Sequence, residues 1–403
     1  MTPPDLGLLD LPPRLVELRA RVRTFVDEKI LPAEAAIEAE DRAGRHELLR
    51  GLQTDARAAG LWTPHLSTEL GGLGLGPLGM GVLFRAMGRS LVGPRVFHCD
   101  APDQGNMDLL AAAGTPAQRE RWLRPLVKGE ITSAFCMTEL PPGAGADPSN
   151  LATRAVPDGA GFRIDGAKWF ATGAGAAAFL LVLARTSDDP RRGATLFLVD
   201  RHAPGVVHVR DVGTMAEPLL AHREAELRLE GVRVGPDAVV GEVGGGFALA
   251  QQRLVPARLT HCMRWLGLAD RALDLCRAHV ESRVSFGRPL AEHQLVQEKL
   301  TRGAVAIHLG NLAVLHCAKL LERGLGREAR PYSSIAKLHV ANALCQVLDD
   351  AIQLHGARGY SDDLPFARWY RFARAARIAD GPDEVHVAVV ARDWLGGKVD
   401  LLV

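Results

Sequence analysis

The spacing of the apolar residues changes twice along the chain, and this change limits the fold more than any other feature. From residue 1 to 128 apolar positions recur with a helical period. Leu15, Leu18, Val22, Phe25 and Val26 share one face of a first helix. That helix is expected to stop near Leu31–Pro32, because proline has no N–H to continue the ladder. Further helices are expected over 45–59, 78–90 and 116–127. The last opens after Thr115, with Pro116 at its first position. Residues 131–240 switch to short extended segments. Phe162–Ile164 follows the turn triplet Pro157-Asp158-Gly159. Phe179–Ala184 is a continuous apolar run suited to a strand covered on both faces. Ala194–Val199, Val206–Val209 and Ala225–Leu229 follow at similar spacing. The helical period then returns in three long segments, 246–282, 291–323 and 332–355. The expected fold class is α+β. It has an N-terminal helical domain (1–129), a middle β-barrel or sandwich domain (130–243) and a C-terminal four-helix bundle (244–403).

The 403 residues carry 48 Lys and Arg against 47 Asp and Glu, a net charge of +1. This balance argues against a strongly basic nucleic-acid binder and against an acidic tail. The first residues, MTPPDLGLLDLPP, lack the basic and apolar regions of a signal peptide. The longest apolar run, near Ala176–Ala184, is too short to span a bilayer. Six cysteines stand apart with no CxxC, as expected of reduced thiols in a cytoplasmic protein. No HExxH or similar cluster appears, so no metal is expected.

Two literal motif matches carry no chemistry. Gly74-x-Gly76-x-x-Gly79 fits a dinucleotide fingerprint, but no strand precedes it. Ser334-Ile335-Ala336-Lys337 fits an SxxK pattern, but lies inside a helical stretch without partner motifs. Five other segments carry more. In Phe135-Cys136-Met137-Thr138-Glu139 a strand runs into a loop rich in Gly and Pro, which lets backbone N–H groups approach a flat polar ligand. Trp169-Phe170-Ala171-Thr172 places aromatics and a hydroxyl on one strand. Arg283-Val284-Ser285-Phe286-Gly287, followed by Gln294, suits a pyrophosphate. Gln353-Leu354-His355-Gly356 ends a helix. Arg368, Arg371, Arg374 and Arg377 lead to Asp380-Gly381-Pro382-Asp383-Glu384, where Asp380 stands at a break and Asp383 and Glu384 suit the start of the next helix.

Taken together and in this order, the five segments resemble the acyl-CoA dehydrogenase family over nearly the whole chain. The chain is most similar to the branch that animals fuse to a kinase-like domain, and to its single-domain bacterial relatives. With that branch it shares Phe97-His98-Cys99-Asp100-Ala101-Pro102-Asp103-x-Gly105-Asn106-Met107 and Asp380-Gly381-Pro382-Asp383-Glu384-Val385-His386. The resemblance implies FAD as cofactor, acyl-CoA as substrate and electron-transfer flavoprotein as electron acceptor. It also implies a homodimer or homotetramer with FAD at the subunit interface. Phe135, Met137 and Thr138 would lie against the flavin, with Phe170 and Thr172 flanking N5. Arg283, Phe286, Gln294, Gln353 and Gly356 would hold the pyrophosphate and adenosine. Pro382 and Glu384 would also touch FAD, and Arg258 and Gly381 would contact substrate. The loop after Glu139 is two residues longer than the family's. Ala146 stands where the family often has Ser, and His355, Ala357 and Arg358 alter the Gln-x-x-Gly-Gly pattern.

Asp380 falls at the family's catalytic carboxylate, fifteen residues after Pro365. The implied reaction takes the α-proton onto Asp380 and passes the β-hydride to flavin N5, giving the trans-2-enoyl-CoA. A weak carbon acid needs a base within reach and a polarised carbonyl. The backbone N–H of Asp380 would supply part of that polarisation. Some members carry the base in the first long C-terminal helix. Here that position is Ala257, which closes the route. Glu139 is expected to organise its loop. Aspartate is one methylene shorter than glutamate, so the backbone must bring it closer. Arg377, one turn earlier, would lower the Asp380 pKa, whereas a desolvating acyl chain would raise it, and the sequence leaves both effects open. Two other readings stand beside this one. A nitroalkane-oxidase-like flavoprotein would also use Asp380 as base. A non-enzymatic nucleic-acid-associated relative would need a more basic surface.

Overall fold

The structure is a computed structural model that describes residues 11–189, 192–216 and 223–399. Residues 1–10, on which the signal-peptide reading falls, lie outside it. The first helix does not stop at Leu31–Pro32. Helix α1 (Pro13–Phe25) passes through a π turn at Val26–Ile30 into α2 (Leu31–Arg42), and the Leu31 N–H bonds the Val26 carbonyl. Pro32 can donate no bond and its ring crowds the preceding turn; the wider π turn makes room for it. The buried stripe Leu15, Leu18, Val22, Phe25 thus continues through Val26 and Ile30 to Ile37. Helices α3 (Glu47–Ala58), α4 (Pro77–Met87), α5 (Gly93–Val96) and α6 (Asp103–Ala113) follow. Gly76 is the N-cap of α4, so the glycine fingerprint introduces a helix, and no strand precedes it among the described residues.

The segment expected as one helix over 116–127 is interrupted in the same way. It consists of α7 (Pro116–Gln118), a π turn at Arg119–Leu123 and α8 (Arg124–Val127), and the π turn again precedes a proline, Pro125. Thr115 and Gln118 form a reciprocal capping box. The Gln118 N–H donates to Thr115 Oγ1 at 3.2 Å, and the Thr115 N–H donates to Gln118 Oε1 at 3.0 Å.

The middle region holds β1 (Ser133–Cys136), β2 (Arg154–Asp158), β3 (Gly161–Thr172), β4 (Phe179–Arg185), β5 (Ala194–Asp200), β6 (Val206–Val212), β7 (Glu224–Val234) and β8 (Val239–Val240). The strand order is β6-β7-β3-β2-β4-β5-β8, with β1 parallel to β4. Its two halves meet through a single pair, Arg154 and Arg185, so the sheet folds over on itself. β4 shows why its sequence is apolar throughout. Leu180, Val182 and Ala184 face the core inside the sheet. Phe179, Leu181 and Leu183 face Leu109, Leu110 and Leu123 of the N-terminal helices. β2 escaped the sequence reading, because Pro157 and Asp158 read as turn residues yet end that strand.

The C-terminal region contains α9 (Gly246–Ser282), a hairpin of β9 (Val284–Ser285) and β10 (Arg288–Pro289), α10 (Gln294–Glu322), α11 (Gly326–His355), α12 (Ala357–Tyr360), α13 (Phe366–Arg374) and α14 (Asp383–Leu395). α9, α10 and α11 pack on one another, and α14 lies against α11 as the fourth helix of the bundle. Met263, Leu266, Ile307, Val314, Val340 and Leu344 share a core with Leu83 and Phe84 of α4. α4 approaches α9 so closely that a Cβ on Gly267 would lie 2.1 Å from the Arg85 carbonyl oxygen. α10 is long and apolar enough to cross a membrane, by length and composition alone. Counting contiguous apolar residues overlooked it, because polar residues interrupt its pattern. Here it packs against α9 and α11 and leaves Leu295, Val305 and Leu309 exposed.

Candidate active site

Asp380 stands in the turn between α13 and α14, with φ of +54°, followed by Gly381 at +111°. A non-glycine residue in this region costs on the order of 1–3 kcal/mol unless its surroundings enforce it. Two cations do so. Arg258 Nε, from α9, donates to the Asp380 carbonyl oxygen at 2.8 Å, and Lys337 Nζ, from α11, donates to the Gly381 carbonyl oxygen at 2.7 Å. A Cβ on Gly381 would lie 3.0 Å from His386 Nε2, and His386 Nδ1 is 3.0 Å from Ser334 Oγ. Ser334 and Lys337 are therefore satisfied helix residues, as expected, but what satisfies them leads back to the Asp380 turn. The Lys337 side chain is fully buried, which lowers its affinity for a proton against the opposing pull of Asp383.

Arg377 does not serve Asp380. Its Nε donates to Asp383 Oδ2 at 2.7 Å, where Asn342 Nδ2 also donates at 3.1 Å. The residue three positions beyond the break offers the better geometry, and the chain turns Asp380 the other way. Asp383 makes no capping bond at the start of α14, and Glu384 is exposed. Asp380 Oδ2 is buried without a hydrogen bond, and His261 Nε2 is 3.5 Å from it.

α9 joins this turn to the end of β1. Arg253 lies with its guanidinium 4.2 Å from the Phe135 ring centre and donates to Asn106 Oδ1 at 2.8 Å. Asp380, Asp108 and Asp103 all act on its charge. Ala257, one turn on, is buried and brings no carboxylate. Past Met137, the Thr138 carbonyl oxygen accepts from the Trp169 N–H at 2.9 Å, tying the loop to β3. Glu139 does organise that loop. Its oxygens accept from the N–H groups of Ala144, Ala152 and Thr153 and from Lys168 Nζ at 2.7 Å. Burial alone would raise its carboxyl, but the Lys168 ammonium and these donors pull it below the usual carboxylate range. Beyond it, Phe170 has φ of +57° and a half-exposed ring, and Trp169 Nε1 is buried without a partner. Thr172 Oγ1 donates to Glu224 Oε2 at 2.7 Å, and burial pushes Glu224 up to about 7.

The remaining candidate positions lie elsewhere. Arg283 follows α9, Phe286 forms the hairpin tip, Gln294 opens α10, and Gln353 and Gly356 close α11. The His279 and His355 rings, 4.2 Å apart, bring the ends of α9 and α11 together. Arg283, Phe286, Gln294, Gln353 and Gly356 are all exposed. At 1.5 Å per residue, Arg258 and Arg283 are separated by about 37 Å along α9. The structure thus gathers Phe135, Arg258, Asp380 and Gly381 around one stretch of α9, with Met137 and Thr138 leading on from Phe135 to β3, and the other group at the far end.

A cavity of about 230 Å³ opens beside α9, lined by His65, Met80, Asp108, Leu259, Thr260 and Met263 among others. Its wall is almost entirely apolar. Burial holds His65 down to about 3 and lifts Asp108 to about 7. The sequence reading missed these residues and His261. Thr260 and His261 lie within one turn of Arg258, which was the available signal.

Models of three acyl-CoA dehydrogenase domains match the chain in succession. The N-terminal domain matches residues 13–130, the middle domain 134–232 and the C-terminal domain 244–395. "Probable acyl-CoA dehydrogenase FadE2" of Mycobacterium tuberculosis is 39% identical over 394 residues, covering 94% of this chain and 95% of that one. Acyl-CoA dehydrogenase family member 11 of Mus musculus is 33% identical over 390 residues. That match covers 93% of this chain but 50% of the mouse protein, so the chain spans half the length of that relative. A solved chain from Mycobacterium abscessus is 37% identical with a TM-score of 0.91, over 97% of this chain and 100% of that one. An acyl-CoA dehydrogenase from Geobacillus kaustophilus is 28% identical with a TM-score of 0.82, over 96% and 99%.

Proposed function

The chain belongs to the acyl-CoA dehydrogenase family, and we propose that it oxidises the α,β bond of an acyl-CoA thioester with FAD, Asp380 taking the α-proton. The observation that carries this reading is the turn itself. A carboxylate is held at a left-handed backbone position by two cations bound to carbonyl oxygens, the half-buried Arg258 and the buried Lys337. Such strain is kept where the surroundings over-determine it.

The residues present fit FAD. Phe170 shows its ring to solvent from a positive-φ position, Trp169 Nε1 is an unpaired buried donor, and Thr138 brings a hydroxyl on the loop whose carbonyl is tied to the same strand. Bound there, FAD would supply the hydride acceptor. The chain supplies the rest. Asp380 Oδ1 has no partner among the described residues and is not buried, so it is free to accept a proton. The Asp380 N–H donates to nothing among the described residues and is available to a thioester oxygen. The exposed group of Arg283, Phe286, Gln294, Gln353 and Gly356 would serve the FAD of a second copy. The separation along α9 supports this, as does the exposed apolar face of α10. Pro382 and Glu384 complete the contacts, and an electron-transfer flavoprotein fits as acceptor.

Anaerobic bleaching of the bound flavin by butyryl-, octanoyl- or palmitoyl-CoA tests the reaction and sorts chain lengths. Asp380→Asn is expected to retain FAD and lose bleaching by at least about 100-fold, the typical contribution of a positioned base. Bleaching at the unchanged rate would sink the assignment of Asp380.

A further inference from the structure

The segment Cys99-Asp100, shared with the kinase-fused branch, has no part in the chemistry above, yet the structure links it to Asp380 in three contacts. Arg264, on α9, donates from Nη1 to the Cys99 carbonyl oxygen at 2.7 Å, and its Nε is 4.0 Å from Asp100 Oδ1. The same guanidinium presents Nη2 to His261 Nδ1 at 3.2 Å. A guanidinium can only donate, so Nδ1 must be the bare, accepting nitrogen of the imidazole. The ring proton of a neutral His261 then sits on Nε2. That nitrogen is the one 3.5 Å from Asp380 Oδ2, the oxygen that is buried without a partner. The ring is fixed in orientation by stacking on Trp265, with centres 5.3 Å apart.

We propose that His261 is a positioning residue, held as the neutral Nε2–H tautomer by Arg264, that donates to Asp380 Oδ2 and leaves Oδ1 as the oxygen that takes the α-proton. The proposal rests on Asp380 being the base. A 3.5 Å separation is long for a finished bond, and such contacts tighten when substrate closes the site. Burial and the neighbouring Arg264 hold His261 down to about 4, so it stays neutral where enzymes of this kind work. The other groups acting on it are Asp380, Asp100 and Arg253. Those acting with Asp380 are Arg253, Arg258, His261 and Cys262 on α9 and Lys337 on α11. A donor to a carboxylate favours its ionised form, so losing the donor should move the acid limb of the rate profile to higher pH.

The test uses the FAD-loaded enzyme and anaerobic bleaching by butyryl-, octanoyl- and palmitoyl-CoA as a function of pH. In His261→Ala the bleaching rate at saturation should fall about 10- to 100-fold, the worth of a hydrogen bond to a charged group. Its acid limb should move upward, with acyl-CoA affinity and FAD content little changed. His261→Gln, whose amide can donate, should recover part of both. Arg264→Met should give the same shift in weaker form. Nitrogen NMR of histidine-labelled protein should show the proton of His261 on Nε2 with no substrate present. An acid limb in His261→Ala that overlays the wild type, or a proton on Nδ1, overturns the proposal. Asp380→Asn separates the two levels. If it bleaches normally, the function itself is misread; if it is dead while His261→Ala is indifferent, only this inference fails.

Discussion

Asp380 and Phe286 share one backbone conformation and almost nothing else. Their φ angles are +54° and +53°. Around Asp380 the protein is dense, with Arg258 and Lys337 on the carbonyl oxygens and His386 behind Gly381. Phe286 is 96% exposed, and a Cβ on Gly287 beside it would meet nothing within 4 Å. The hairpin accounts for the backbone at 286, since two-residue turns want positive φ at both central positions. It does not account for the side chain, because such turns ordinarily take Asn or Gly. A large ring shown wholly to water, on a turn that does not need it, fits a surface meant to be covered. One region is complete within the chain. The other, in the proposed reading, would be completed by a second copy of the chain.

The comparison breaks first if the dense region does not depend on its internal charges. Lys168→Met leaves Glu139 charged and buried, and should cost about 3–5 kcal/mol in denaturant unfolding. Glu139 has its folded value depressed. Its contribution is therefore whole above the unfolded carboxylate value of about 4.3 and is lost as pH falls below it. Acid unfolding of the wild type should show that loss, and Glu139→Gln should flatten it. A smaller effect is expected at Gly381→Ala, where φ of +111° and the His386 ring oppose a Cβ: about 1–3 kcal/mol, together with slower bleaching. The smallest is at the open end. Phe286→Ser should change the unfolding free energy by no more than about 0.5 kcal/mol, while FAD retained after gel filtration falls. If Phe286→Ser destabilised the chain as much as Gly381→Ala does, the contrast between the two regions would be lost.

The sequence made some of this legible and hid the rest for physical reasons. Periodicity marked the helices, the doubly covered β4 and the break at Asp380, because each depends on neighbours close in the chain. It placed Arg377 beside Asp380, since the two are one turn apart, but Asp383 and Asn342 compete for that arginine across the fold. Lys337 read as an ordinary helix residue because its partner, the Gly381 carbonyl, is 44 positions away. His261 carried only one local mark, its place within a turn of Arg258. Its tautomer follows from Arg264, and the position of Arg264 follows from Cys99. Proline reads as a stop for the first helix because nothing local shows that a wider turn can absorb it.

That wider turn has a consequence for how the chain can change. A bond closed over five residues takes up one residue more than the α-helical bond, about 100° of rotation. At Val26–Ile30 the extra residue keeps Leu15, Leu18 and Val22 aimed at the core once the helix has passed Pro32. Deleting one residue there would restore regular bonding and swing the apolar stripe of α1 out of line with that of α2. Replacing Pro32 alone would remove the reason for the bulge but leave the surplus residue. The proline and the extra residue are thus a single unit of inheritance, to be gained or lost together, and the same holds for Pro125 and the turn at Arg119–Leu123.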